Sequence, residues 1–359
     1  MKIGVITFHR AINYGAVLQT YALQKRINEK GYKCEVIDYQ CDAFKDGYKA
    51  FKIYSKSLKG IVSSIIQYPY KTNKNRKFKD FINKKISVSK EFYVSSNICR
   101  TNDIYSKFIV GSDQVWNCNL TNFDKTYFLD FVKKDEMKNS YAASFGFSEI
   151  PEDKISDYKS ALSGYNYLSV REHSGQDMVN KLINRKATIV LDPVFLLSSD
   201  QWGKIAVQPN LNEKYILIYY LNDIKVFEQA KKLSEITGYK VVCIQNSMKR
   251  PIKAKYINNA GPEEFLGWFK NATYVITDSF HGTAFSIIFK KQFWALLNTS
   301  KDNKNSRIIS VLEQMNLEDR ILTVNKQIDI NIRIDYNYIE KNVNKAIKNS
   351  EEFIDSILE

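Results

Sequence analysis

The stretch from Asn271 to Leu297, NATYVITDSFHGTAFSIIFKKQFWALL, decides the fold class. Thr273 to Asp278 is a β-branched, apolar run of strand length, and Ser279-Phe280-His281-Gly282 reads as a turn. Thr283 to Lys291 shows helical spacing through Ala284, Ile287 and Ile288, and Phe293 to Leu297 reads as the next strand. Strand, short polar turn, helix and strand form a unit of a parallel α/β sheet, whose ligand sites lie at the carboxyl ends of the strands. The first N–H groups of such a helix lack intrahelical partners and favour an anion. His281 stands at that lip, where an imidazole can pass a proton near neutral pH, and Gly282 would let a ligand approach the backbone. The competing reading is a histidine that only closes a loop hydrogen bond.

Outward from this unit the same rhythm recurs. In the second half, YILIYYL from Tyr215 is a strand, Lys225 to Thr237 a helix and Lys240 to Ile244 a strand; Pro262 opens a further helix with Glu263 and Glu264 in its first turn. Arg307 to Met315 is helical, and Tyr336 to Leu358 is a long charged amphipathic helix expected to pack back across the molecule. The first half opens with a strand, Lys2 to Phe8, a polar loop, His9 to Asn13, a helix from Tyr14-Gly15-Ala16 and a strand, Cys34 to Tyr39. Asn13 suits a helix cap, and the lone Gly15 is no dinucleotide fingerprint. Lys107 to Val110 ends in Gly111-Ser112-Asp113-Gln114-Val115-Trp116-Asn117, a polar cluster able to bind hydroxyls while Trp116 stacks on a sugar face. Strands at Asn139 to Ser144, Tyr167 to Val170 and Thr188 to Leu191 follow. Arg171, at the end of the second of these, can clamp a carboxylate or phosphate, or pair with Glu172.

The expected organisation is therefore two Rossmann-like, doubly wound α/β domains facing across a cleft. They cover residues 1–197 and 198–335, joined by the polar segment from Ser198 to Asn212, with a terminal helix over 336–359. Between about 42 and 100 the rhythm is interrupted by a basic insertion rich in Tyr, Phe and Ile. It reads either as a helical cap on the first sheet or as a surface for anionic lipid, with Lys71, Lys74, Arg76 and Lys77 among the candidate contacts.

The 359 residues, 44% hydrophobic and 26% charged, fit a globular protein, and no apolar run approaches the ~20 residues of a membrane-spanning helix. The N-terminus enters a strand without a cleavage site, so the expected compartment is the cytoplasm. Five scattered cysteines, none in a CxxC pair, argue against a disulfide framework and a zinc site. A net charge of +14 favours acidic partners, and without a nucleic-acid motif the expectation is phosphorylated small molecules or an anionic membrane, not nucleic acid.

Six ordered motifs, NYGAVLQTYALQ, GSDQVWN, YAASFG, LSVREHSG, LDPVFLL and ITDSFHG, span both halves. Together they resemble the polysaccharide pyruvyl transferase family. The resemblance implies a GT-B-like fold and transfer of pyruvyl from phosphoenolpyruvate onto two sugar hydroxyls as a ketal, in the synthesis of surface polysaccharide or cell-wall glycan. It implies no metal and no cofactor, phosphoenolpyruvate being a co-substrate. The acceptor would be a sugar, with a polyprenyl-diphosphate carrier as one form, which would place the enzyme on the inner face of the plasma membrane. By position, the family's arginine falls on Arg171 and its catalytic histidine on His281. Some members carry an arginine two places before that histidine. Ser279 stands there, so Arg307 or the N–H groups around His281, Gly282 and Thr283 would hold the donor. Asn13, Tyr14, Gly15, Ser112, Asp113, Gln114, Trp116 and Asn117 would face the acceptor. A nucleotide-sugar glycosyltransferase of the same fold and a non-catalytic carbohydrate-binding relative are the competing expectations.

Overall fold

The computed structural model describes residues 1–44, 58–221, 223–245, 249–297, 305–323 and 328–359, with side chains from residue 67 onward in the second segment. The part of the basic insertion at 45–57 lies outside the described residues. Strands β1 (Lys2–Ile6), β2 (Lys33–Tyr39), β3 (Val88–Tyr93), β4 (Lys107–Val110) and β5 (Lys138–Ser140) form one parallel sheet in the order β3-β2-β1-β4-β5. The short pair β6 (Ser169–Val170) and β7 (Thr188–Ile189) continues it through bridges from Tyr167 to Asn139 and from Val170 to Ala143. Strands β8 (Tyr215–Tyr219), β9 (Lys240–Ile244), β10 (Lys255–Ile257), β11 (Tyr274–Thr277), β12 (Gln292–Leu296) and β13 (Ile321–Leu322) form the second sheet, also parallel, in the order β10-β9-β8-β11-β12-β13. Strands such as YILIY and YVIT are buried along their whole length, as helices on both faces require. Each sheet reverses direction beside its first strand, and that is where doubly wound sheets open a crevice.

The helices are α1 (Tyr14–Glu29), α2 (Leu58–Lys85), α3 (Cys118–Thr121), α4 (Ile155–Leu162), α5 (His173–Ile183), α6 (Ser199–Gly203), α7 (Lys225–Thr237), α8 (Pro262–Asn271), α9 (Phe280–Ile288), α10 (Ser306–Met315) and α11 (Tyr336–Leu358). The sequence places a turn at Ser279 to Gly282, but α9 begins at Phe280. Ser279 is its cap: the Oγ accepts from the Gly282 N–H at 3.4 Å and the carbonyl accepts from the Thr283 N–H at 2.9 Å. His281 consequently sits in the first helical turn.

The two sheets share a core. Tyr14, Val17 and Leu18 of α1 cluster with Leu191, Trp202, Tyr219, Phe265 and Phe285, so apolar burial crosses from one half to the other. Tyr14 donates from its hydroxyl to the Ala260 carbonyl at 2.8 Å and stacks on Phe265 with centroids 4.3 Å apart. Helix α2 also reaches the second half. Lys77 is bonded to both carboxylate oxygens of Glu264 at 2.7 Å, and Lys74, 4% exposed, lies with its ammonium 4.4 Å from the Tyr14 ring centroid. Burial pulls the Lys74 pKa down to about 7. Two of the four basic residues expected at a lipid surface are thus committed to the junction of the halves, whereas Arg76 is exposed, as are Tyr68 and Tyr70.

Helix α11 runs from the second half to the first. Ile339 belongs to the shared core, and Phe353, Ile354 and Ile357 cover Ile3, Val5, Leu23 and Ile27. Arg26 and Lys30 pair with Glu351 at 2.6 and 3.0 Å, and the Ser350 hydroxyl accepts from the Leu191 N–H. Among the described residues no helix is long and apolar enough to cross a membrane.

Candidate active site

At the junction of the halves a cavity of about 390 Å³ opens at the carboxyl ends of β1, β4, β8 and β11. Asn13, Asp113 and Gln114 line it from the first half, and Tyr219, Ser279, His281 and Arg307 from the second. The shared core brings the N-terminus of α1 against that of α9. A Cβ built on Gly15 would lie 2.0 Å from Nδ1 of His281, so only glycine leaves room for the ring. Gly15→Ala is expected to displace His281 and lower turnover by about 10²-fold, since a misplacement of about 1 Å suffices for such a loss. A thermal melt distinguishes this from unfolding: a variant that melts near the wild type yet has lost its turnover supports the contact, and an unchanged rate contradicts it.

His281 faces Asp192, with Nε2 3.5 Å from Oδ2. That carboxylate, fully buried, also accepts from the Ser112 hydroxyl at 3.1 Å and from the Val194 N–H, and it pairs with Nη1 of Arg171. Burial alone would raise the Asp192 pKa, but His281 and Arg171 more than offset it and hold the group well below the ordinary carboxylate range. Arg171 is buried too, its guanidinium 4.5 Å from the Phe280 ring centroid, with Nη2 3.7 Å from Asp113 and Nε 4.0 Å from Glu172. Glu172 accepts from Ser144 at 2.7 Å, and its pKa is raised by burial against the opposing influence of Arg171. Arg307, in the first turn of α10, has its pKa lowered by burial and by Arg171.

Five buried polar atoms of this cluster have no hydrogen-bond partner among the described residues: Nε and Nη2 of Arg171, Oε2 of Glu172, Nε2 of His281 and Nε of Arg307. The Phe280 and His281 N–H groups at the start of α9 likewise take no partner within the helix. Unpaired buried polar groups are costly, so their convergence marks a place built for a polar ligand or ordered water.

Other expected site residues lie elsewhere. Trp116 is fully buried, donates to the Tyr127 carbonyl at 3.0 Å and packs on Phe128, Phe145 and Tyr165, so no sugar reaches its face. Tyr14 is spent on the domain junction, and Ser112 on Asp192 and the Ala142 carbonyl. Asn117 caps α3 and donates to Gln114. Gly282 is small because a Cβ would meet Oγ1 of Thr277 at 2.2 Å, and Thr283 is buried with its hydroxyl on the Ser279 carbonyl; neither lines the cavity. Nor does Arg171, which acts on the cavity through Asp192 and Phe280. Asn13 does line it, while capping α1 through the Ala16 N–H. Asp192 and Tyr219 are the additions. Asp192 lies beyond β7 and caps the short helical turn Pro193–Leu196, accepting from the Val194 N–H.

The model of one protein family, described as polysaccharide pyruvyl transferase, matches residues 13–301 and so takes in every residue of this cluster except Arg307. The chain belongs to the polysaccharide pyruvyl transferase family. No protein of established function compared with it matches in sequence. Similar solved structures include the UDP-GlcNAc 2-epimerase of Methanocaldococcus jannaschii and that of Neisseria meningitidis bound to UDP-GlcNAc. Each is 12% identical, with a TM-score of 0.50 over 100% of this chain and 99% of that one. At that identity the likeness concerns the fold alone, and the fold of this pyruvyl transferase family member is GT-B: two Rossmann-like domains with the site between them. Among the described residues no group of His, Cys, Asp or Glu is arranged to hold a metal.

Proposed function

We propose that this transferase moves pyruvyl from phosphoenolpyruvate onto two hydroxyls of a sugar residue, forming a ketal and releasing phosphate. The observation that carries the reading is the convergence of Arg307, with its Nε unbonded, His281 and the first N–H groups of α9 on one end of a cavity whose other wall offers Asn13, Asp113 and Gln114. The first set suits a small phosphorylated acid, the second a set of hydroxyls. Protonated His281 gives its proton to the methylene carbon of the enol, which becomes the methyl group, and the adjacent carbon becomes oxocarbenium-like. One sugar hydroxyl attacks that carbon and passes its proton to the now neutral His281, which restores the acid; the carbon–oxygen bond to phosphate then breaks, and the second hydroxyl closes the ketal as its proton passes to the departing phosphate. Asp192 steadies the imidazolium, and Arg171 holds Asp192 ionised. Surface polysaccharide or cell-wall glycan is the setting that fits such an acceptor.

The test supplies phosphoenolpyruvate with a panel of lipid-linked and free galactosides, glucosides and mannosaminides, and measures phosphate release together with acid-labile pyruvate on the sugar. Appearance of both in equal amounts supports the proposal. If only nucleotide sugars are consumed, with release of nucleoside diphosphate, the glycosyltransferase reading replaces it.

A further inference from the structure

The cluster behind the cavity contains one buried carboxylate, that of Glu172, which the reaction above does not use. Arg171, Arg307 and protonated His281 contribute three positive charges against the three carboxylates of Asp113, Glu172 and Asp192, in a volume from which solvent is largely excluded, so the free site is balanced. Asp192 is held ionised by His281 and Arg171, and Asp113, though buried, lines the cavity wall. Glu172 differs from both. It is completely buried at the N-terminal end of α5; Oε1 accepts from Ser144, and Oε2 has no partner, lying 4.0 Å from the equally unpartnered Nε of Arg171.

A multiply charged phosphorylated acid entering beside Arg307 tips this balance to the negative side. In a medium of low effective dielectric, each further like charge a few ångströms away costs several times what it would in water. The groups facing Glu172 are Arg171 on its own strand end, Ser144 and the Phe145 N–H from the loop after β5, and Arg307 from α10. Asp113, Asp192 and His281 stand on the far side of Arg171 and complete the charged set. When the anion draws on Arg307, which lines the cavity, Glu172 loses part of the positive charge that keeps it ionised.

Resting on the donor reading above, we propose that anion binding at this site is coupled to uptake of a proton by Glu172, whose unpaired oxygen carries it while the donor is bound. The neutral acid offsets the charge that the anion brings and leaves Arg307 to the ligand. The raised pKa of Glu172 in the free protein is consistent with this assignment.

The proton count on binding is measured by isothermal titration calorimetry in buffers of different ionisation enthalpy. Phosphoenolpyruvate and inorganic phosphate serve as the probes, at about pH 8, where phosphate groups are almost fully ionised. The wild type is expected to take up about one proton per site more than Glu172→Gln. Ser144→Ala, which removes a donor that favours the ionised form, is expected to shift the pH of greatest uptake upward and covers the case in which the glutamine variant fails to fold. Equal uptake by wild type and Glu172→Gln, or an uptake profile unmoved by Ser144→Ala, overturns the assignment while leaving the donor reading intact. If neither probe binds the wild type, the donor reading falls and the proton coupling with it.

Discussion

Replacing His281 by alanine is expected to lower turnover with phosphoenolpyruvate by about 10²- to 10⁴-fold, the range for loss of a positioned acid, without unfolding the protein. The side chain lies at the cavity wall, 7% exposed, and its ion-pair partner is Asp192, at 3.5 Å. Truncation removes the acid and leaves the helix cap at Ser279 in place. The reading is checked by phosphate release under saturating donor and acceptor, beside a melting curve. A variant within threefold of the wild-type rate would mean that the proton comes from another group. Loss of rate together with loss of fold would be uninformative for alanine, so His281→Gln, closer in size, serves as the companion.

Asp192→Asn has the second largest expected effect, and it acts on both catalysis and stability. The amide keeps one acceptor oxygen, so it can accept from Val194 or from Ser112 but not from both, and it no longer balances the charge of Arg171 or faces a protonated His281 with a carboxylate. Turnover should fall by about 10²- to 10⁴-fold, as when the carboxylate behind a catalytic imidazole is replaced by its amide. Breaking a buried pair by removing one partner costs about 3–5 kcal/mol. The folded-state pKa of Asp192 is depressed. Its stabilising contribution is therefore fully present above the unfolded carboxyl range, near ~4, and is lost as the pH falls toward the lower folded value. Denaturant midpoints of the wild type should thus fall more steeply on acidification below about pH 4 than those of Asp192→Asn. Parallel acid limbs would show that Asp192 is not held ionised by its neighbours.

Much of the fold is legible because each βα step carries its own period: β-branched runs of strand length, then helical spacing, with Gly or Asn at the breaks. Because all the strands are parallel, ligand loops must gather at one edge, which is why Arg171, His281 and the Asn13 to Gly15 loop could be placed near one another although they are far apart in the chain. Contacts between the halves were less legible. Gly15 looks unremarkable in its own helix, and its requirement appears only when the His281 ring is packed against it. Tyr14 and Trp116, flanked by polar residues, look like ligand platforms. Whether an aromatic ring faces a cavity or a neighbour such as Phe265 or Phe128 depends on helix rotation and tertiary contacts that local spacing leaves open. Tyr219 was hidden for the opposite reason: within YILIYYL it is one more apolar strand residue until β8 ends beneath Ser279 and its ring reaches the cavity. The sequence marks Glu172 only as a neighbour of Arg171, because its burial depends on Ser144 and α10.

Helix α11 ties the start of the chain to a segment more than 300 residues later, with Phe353, Ile354 and Ile357 lying over Ile3 and Val5. On the ribosome those residues emerge in chain order, at roughly 5–20 residues per second, so the first sheet waits on the order of tens of seconds for the side chains that cover it. Throughout that interval one apolar face of the nascent first half has no native lid and is exposed to chaperones or to other nascent chains. Completion of the first domain is thereby made an event of late synthesis, and the half that carries Asn13, Asp113 and Arg171 reaches its final packing only after the half that carries His281 has been made.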